Sequence, residues 1–162
     1  MRGAATLLLA LAAGSASAQQ IERHPIPGSD FPISRAVEVT GGAAVIYLSG
    51  AVPTPTDETT AVSPAGAYGN TQVQTVSVLR SIEATLADLG LSMRDVVKMQ
   101  VFLVAPDDEA GMDFEGFMQG YRQFFGTPDQ PDLPARTVVE VAGLADPEWL
   151  VEIEVAAVRP AD

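Results

Sequence analysis

Residues 71–104 read TQVQTVSVLRSIEATLADLGLSMRDVVKMQVFLV, and this stretch decides the fold. Its first part carries apolar residues at Val73, Val76, Leu79, Ile82, Leu86 and Leu89. Steps of three and four put them on one face of an α-helix, and Gly90 supplies the stop. The second part, Val96 to Val104, is a strong strand in which Lys98 and Gln100 alone are polar. Alternation places Val97, Met99, Val101 and Leu103 on the side that a helix covers. It leaves Val96, Lys98, Gln100, Phe102 and Val104 on the other.

Working outward, Ala36 to Thr40 and Ala44 to Ser49 are β-type runs on either side of Gly41-Gly42, which predicts a tight hairpin. A short edge strand fits around Ile21 in the otherwise irregular stretch from Gln19 to Pro32. Residues 51–69 are rich in Pro, Thr and Gly and read as a loop. Downstream, Asp113 to Phe125 forms a second helix with Phe114, Phe117, Met118, Tyr121, Phe124 and Phe125 on one stripe. Asp113 and Glu115 in its first turn suit the helix dipole. Arg136 to Val141 and Leu150 to Val158 are two further strands. The order ββ-α-β-α-ββ predicts an α+β sandwich, one sheet with two helices packed on one face. Lys98, Arg136, Glu140, Glu152 and Glu154 then fall on the uncovered face, mixed with Phe102, Val138 and Leu150. A solvated antiparallel face needs no function, but apolar residues among charges suit a subunit interface.

Composition narrows the chemistry. The chain has 162 residues, 47% hydrophobic and 19% charged, which is one globular domain. Its formal charge is −12 and its pI about 4.3, which opposes nucleic-acid binding and docking on anionic lipid. With no cysteine, thiolate zinc sites and Cys nucleophiles are excluded. With His24 as the single histidine, a multi-His metal site is excluded and a Ser-His-Asp triad would have to use His24.

The first eighteen residues read as a secretory signal peptide: Arg2, an apolar run from Ala4 to Ala13, and the small-residue site Ala16-Ser17-Ala18. The apolar run is about half of what a membrane span needs. The expectation is an exported bacterial protein, periplasmic or secreted, with a single domain over residues 19–162 and no stable membrane insertion after cleavage.

Several segments carry a resemblance. LPARTVVEVAGL (residues 133–144) followed by LVEIEVAAV (150–158) resembles the C-terminal signature of the RidA family, also called YjgF/YER057c/UK114. YLSGAVP (47–53), LADLGLSMRDVVKMQVFLV (86–104) and FMQGYRQFF (117–125) are similar to further family segments. The resemblance covers residues 31–158 and implies a chorismate-mutase-like fold, a homotrimer whose sheets form a central barrel, and ligand clefts between subunits. It implies hydrolysis of reactive enamines and imines, such as small 2-imino acids, to 2-keto acids and ammonia, without a metal or organic cofactor.

By the same resemblance Arg136 and Glu152 are the catalytic pair. Arg136, Val138, Ser49, Gly50 and Tyr121 are substrate-binding, Val138 through its backbone. The types suit the task. A planar guanidinium holds a substrate carboxylate with two parallel hydrogen bonds, and a glutamate can orient the attacking water. Read without the resemblance, Arg136 can equally pair with Glu140 or Glu154, and Glu152 with Arg136 or Lys98. Lys98 reads as an ion-pair member and His24 as a minor contact. The chain departs from the family pattern at Ile33 for tyrosine, Met118 for asparagine and Val138 for cysteine. The expected partner is a small-molecule carboxylate and not nucleic acid; ribonuclease activity, known among relatives, conflicts with the charge. The alternative to a deaminase is a non-catalytic exported trimeric module that binds small carboxylates or a protein.

Overall fold

The computed structural model describes residues 21–56, 67–107 and 109–159. The signal peptide therefore lies outside the described residues, as does most of the loop expected over residues 51–69. Six strands form one mixed sheet: β1 (Ile21–Pro25), β2 (Ser34–Val39), β3 (Ala44–Ala51), β4 (Val96–Leu103), β5 (Ala135–Glu140) and β6 (Val151–Arg159). Their order is β1-β2-β5-β4-β6-β3. β4 runs parallel to β5 and antiparallel to β6, and β3 completes the far edge antiparallel to β6. Two helices, α1 (Thr71–Asp88) and α2 (Phe114–Tyr121), cover one face. The predicted α+β layer is the fold observed. Among the described residues no helix is long and apolar enough to cross a membrane.

The main core lies between helices and sheet. Val78, Leu79, Ile82 and Leu86 of α1 and Phe117, Met118 and Tyr121 of α2 meet Met99, Val101, Leu103, Val151, Ile153 and Val155. Asn70 caps α1 by accepting from the Val73 N–H at 3.0 Å, and Asp113 caps α2 by accepting from the Gly116 N–H at 2.7 Å. The buried stripe of α1 is rotated from the apolar one. Thr71, Gln74 and Thr75 are buried, while Val73 and Leu89 are exposed. The reason is close helix packing: a Cβ on Gly120 of α2 would stand 2.7 Å from the Thr75 Cβ, so small residues face each other there. Gln74 adds a polar staple. Its amide donates to the carbonyls of Gly69 and Glu148 and accepts from the Leu150 N–H, which fixes the entry to β6.

Three expectations are corrected. Gly41 and Gly42 do take positive φ, 87° and 71°, as a tight turn requires, but the strands they join are not paired in a hairpin. β2 pairs with β1 along its length and touches β5 at Ser34–Ala135, whereas β3 pairs with β6. The apolar side of the β1–β2 ribbon explains this. Ile21, Val37 and Val39 pack with Ala43 over Val97, Ala156 and Val158, so the ribbon folds across part of the face opposite the helices. Arg23 pins it there, donating to the Val96 and Leu133 carbonyls and to Asp132.

Second, the pairing register of β4 shifts between Val96 and Lys98. This bulge turns Val96 into the main core and Val97 out to the ribbon, the reverse of the alternation read from sequence. Third, Arg136, Val138 and Glu140 do not share a face with Lys98. The parallel register sets them beside Met99, Val101 and Leu103, on the helix side. The strand ARTVVE gives no signal for this, because each of its faces carries both polar and apolar residues.

Candidate active site

Arg136 leaves β5 toward α2 and enters a nest of rings. Its guanidinium carbon lies 4.1 Å from the centroid of Tyr121, 5.0 Å from Phe117 and 5.6 Å from Phe31. Such contacts stabilise a cation through the ring quadrupoles but do not themselves fill its hydrogen-bonding edge. One nitrogen, Nη2, meets the Met118 Sδ at 3.2 Å, a weak acceptor. The other, Nη1, is buried and has no hydrogen-bond partner. Among the described residues no carboxylate pairs with Arg136. Glu140, one partner considered from sequence, instead accepts from the Met112 N–H at 2.7 Å and holds the chain entering α2. Glu154, the other, sits beside Gln100 on the opposite face. Burial lowers the Arg136 pKa from its ordinary value, with Tyr121 opposing the shift and the charge of Arg122 adding to it. A guanidinium remains protonated under such a shift, so a cation sits in an aromatic recess with an unfilled donor edge.

Tyr121 supports this arrangement from beneath. It is fully buried, and its hydroxyl donates to the Pro32 carbonyl at 3.0 Å. Burial pushes its pKa up to about 12, against the pull of Arg136. The phenol therefore stays neutral and cannot discharge the guanidinium. Of the predicted binding residues, Tyr121 touches the site through Arg136 and not as an open wall. Val138 stands two residues along β5, packed on the main core.

Ser49, Gly50 and Glu152 form a second group on the other face of the sheet. β3 and β6 shift register between Leu48 and Ala51, which places a bulge at Ser49-Gly50. The Glu152 carboxylate lies directly over Gly50, where a Cβ would collide with it. Beside this group Tyr47, Ser49, Lys98, Gln100 and Glu154 line a depression of about 320 Å³. Lys98 donates to the Thr137 hydroxyl at 3.3 Å and not to a carboxylate.

The structure thus assembles the predicted residues into two halves and does not join them. Arg136 pairs with helix-facing Met99, whereas Glu152 pairs with Phe102, whose neighbours Lys98 and Gln100 face away. With β4 between them and the sheet intervening, one protomer cannot present both groups to one small ligand. Sequence reasoning missed Phe31, which lies in a segment read as irregular. The aromatic stripe of the second helix, set against one arginine, was the signal available for the rest of the nest. His24 lies elsewhere, on the outward side of the β1–β2 ribbon. Its Nδ1 is 3.8 Å from Glu22 and its Nε2 is 3.7 Å from Glu38.

The family model described as Endoribonuclease L-PSP matches residues 27–159. TdcF of Escherichia coli K12, named as a reactive intermediate deaminase, is 32% identical over 141 residues, 87% of this chain and 97% of that protein. The 3-aminoacrylate deaminase RutC of Acinetobacter baylyi is 32% identical over 126 residues, 78% of this chain and 88% of that protein. The crystal structure of Escherichia coli TdcF with bound serine superposes with a TM-score of 0.55 at 30% identity, covering 86% of this chain and 97% of TdcF. A YjgF-family member from Neisseria meningitidis superposes equally, with a TM-score of 0.55, 27% identity and coverage of 86% and 95%. The chain belongs to the Endoribonuclease L-PSP family, the RidA or YjgF/YER057c/UK114 group of proteins.

Proposed function

We propose that the protein is an exported enamine/imine deaminase that hydrolyses 2-imino acids in clefts between copies of itself. The observation that carries this reading is the half-buried Arg136 guanidinium, with its Nη1 buried and unpartnered and, among the described residues, no carboxylate beside it. A cation held partly out of water without a counter-charge is costly, and the group that relieves it is an anion able to accept two parallel hydrogen bonds. A 2-imino acid carries such a carboxylate. Binding it to Arg136 fixes the imine carbon.

Glu152, brought by a second copy, orients a water against that carbon and takes its proton. The water oxygen bonds to carbon while the C=N electron pair goes to nitrogen, which is protonated. The resulting carbinolamine expels ammonia as its C=O bond forms, leaving the 2-keto acid. Imines hydrolyse readily in water, so positioning and one proton relay supply the catalysis required. The opposed faces of Arg136 and Glu152 make a second copy a requirement of the reading, and a homotrimer, about three times the protomer mass in light scattering, is the assembly expected. Relatives named as deaminases support the reaction class. The charge of −12 opposes the ribonuclease chemistry in the family's description.

Ammonia release from an imine generated in place by an amino-acid oxidase tests the proposal. Arg136→Ala and Glu152→Gln should each lower the rate at least about a hundredfold. Equal rates for Arg136→Ala and the parent protein overturn the assignment. The second reading, a non-catalytic carboxylate-binding module, is favoured by Met118 on the guanidinium and is selected if 2-keto acids bind but no ammonia appears. Export is tested by an N-terminus beginning at Gln19 in protein recovered from the periplasm or medium.

A further inference from the structure

Resting on the deaminase reading, we propose that this site selects 2-imino acids with branched or aromatic apolar side chains over the small ones made from alanine or serine. The argument begins with what surrounds the carboxylate anchor. Arg136 is framed by Phe31, Phe117, Tyr121 and the Met118 thioether. Phe31 lies at the open end of this nest. It remains 38% exposed and stacks on the half-buried Phe114, centroids 6.5 Å apart and planes within 14°. Exposed, stacked rings beside a charge-binding group form a surface that gains by being covered with apolar atoms.

The polar groups nearby are already committed. The Tyr121 hydroxyl donates to Pro32, the Asp113 carboxylate caps α2, and Glu140 holds the Met112 N–H. A hydroxyl or ammonium on the substrate side chain would lose water over Phe31 and find no free partner among these groups. A leucine- or phenylalanine-derived side chain would lie on the Phe31–Phe114 pair while its carboxylate fills the donor edge of Arg136. Discrimination of this kind is worth about tenfold or more in kcat/KM for each added methylene.

The test uses the full mature protein. Ammonia release is measured with imines generated by amino-acid oxidase from leucine, phenylalanine, alanine and serine. In parallel, calorimetry compares binding of 4-methyl-2-oxopentanoate, phenylpyruvate and pyruvate. The leucine and phenylalanine imines should exceed the alanine imine at least about thirtyfold in kcat/KM, and the larger keto acids should bind correspondingly tighter. Phe31→Ala should shrink both ratios at least about tenfold. If that variant fails to fold, Phe31→Leu should keep the leucine preference and lose the phenylalanine one. Turnover that is equal or faster with the alanine imine overturns the selectivity and leaves the deaminase reading intact. Tighter binding of the larger keto acids without ammonia from any imine supports the selectivity and overturns the deaminase reading. Ratios untouched by either Phe31 variant overturn the role of the aromatic pair.

Discussion

The two faces of the sheet are built on different terms. The helix side is closed by its own chain: α1 and α2 bury an apolar core, and the Arg136 charge beside it is ringed by aromatic groups. The opposite side is closed only in part. The β1–β2 ribbon covers Val97, Ala156 and Val158, but Tyr47 beyond it is 81% exposed beside Lys98, Gln100 and Glu154. A face that keeps a large aromatic side chain in water next to a polar depression invites a partner. The difference teaches that the two faces leave different groups unmatched: a guanidinium with no carboxylate beside it among the described residues on one side, and a carboxylate over a glycine on the other.

The largest effect should come from making the helix face wholly apolar. Arg136→Met keeps length and shape while removing the half-buried charge. Turnover should fall about a thousandfold, the loss of an anchor that a thioether cannot replace. Stability should stay level or rise, because an apolar residue of similar volume replaces a guanidinium lacking a carboxylate. Thermal unfolding checks this beside the ammonia assay. A midpoint lowered by several degrees with ligand binding intact would break the comparison, for Arg136 would then be a structural prop like the rest of that face.

On the other side, Gly50→Ala places a methyl group into the Glu152 carboxylate. About a hundredfold should be lost from kcat, while 2-keto acids should still bind through the untouched Arg136, so the damage separates kcat from affinity. Loss of both together would mean that the two halves are not independent.

The sequence made one of these faces far more legible than the other. The helix side is written in long periodic runs, and Phe117, Tyr121, Met99 and Ile153 fall where alternation and helical spacing put them. Three things were not written there. The bulge at Val97 exchanges two valines that pattern cannot tell apart. The pairing of β2 with β1 depends on distant residues of β4 and β6, which no local run encodes. The face of Arg136 depends on its register with β4, and ARTVVE offers no contrast between its faces. Residue types thus led to the arginine and the glutamate through resemblance, whereas their placement on opposite faces needed the three-dimensional pairing.

A third test concerns the floor of the aromatic nest, where Tyr121 is closed off by its own chain. Burial raises the Tyr121 pKa from 10.0 to about 12. The folded protein therefore holds this proton more tightly than the unfolded chain. The stabilisation is complete below pH 10 and is lost as pH rises through 12, on the order of 2–3 kcal/mol in all. Denaturant unfolding between pH 9 and pH 12 should show a steeper alkaline loss in the parent protein than in Tyr121→Phe. The variant should be weaker by about 1 kcal/mol at neutral pH, having lost its bond to Pro32. Parallel pH profiles would show that Tyr121 is reached by water.

The smallest effect tests the open face. Tyr47 is 81% exposed, so within one protomer Tyr47→Ser removes almost no packing, and unfolding of the isolated protomer should shift by no more than about 0.5 kcal/mol. If a second copy covers this face, the same substitution takes an aromatic anchor out of an interface. Association should then weaken about tenfold, seen as a higher concentration for half-dissociation in sedimentation, with the circular dichroism of the protomer unchanged. Turnover should fall only at the dilutions where the assembly separates, because Arg136 and Glu152 remain whole in each copy and lose only each other. An assembly as tight as the parent's would move the contact elsewhere on the molecule and leave the Lys98–Glu154 depression facing solvent.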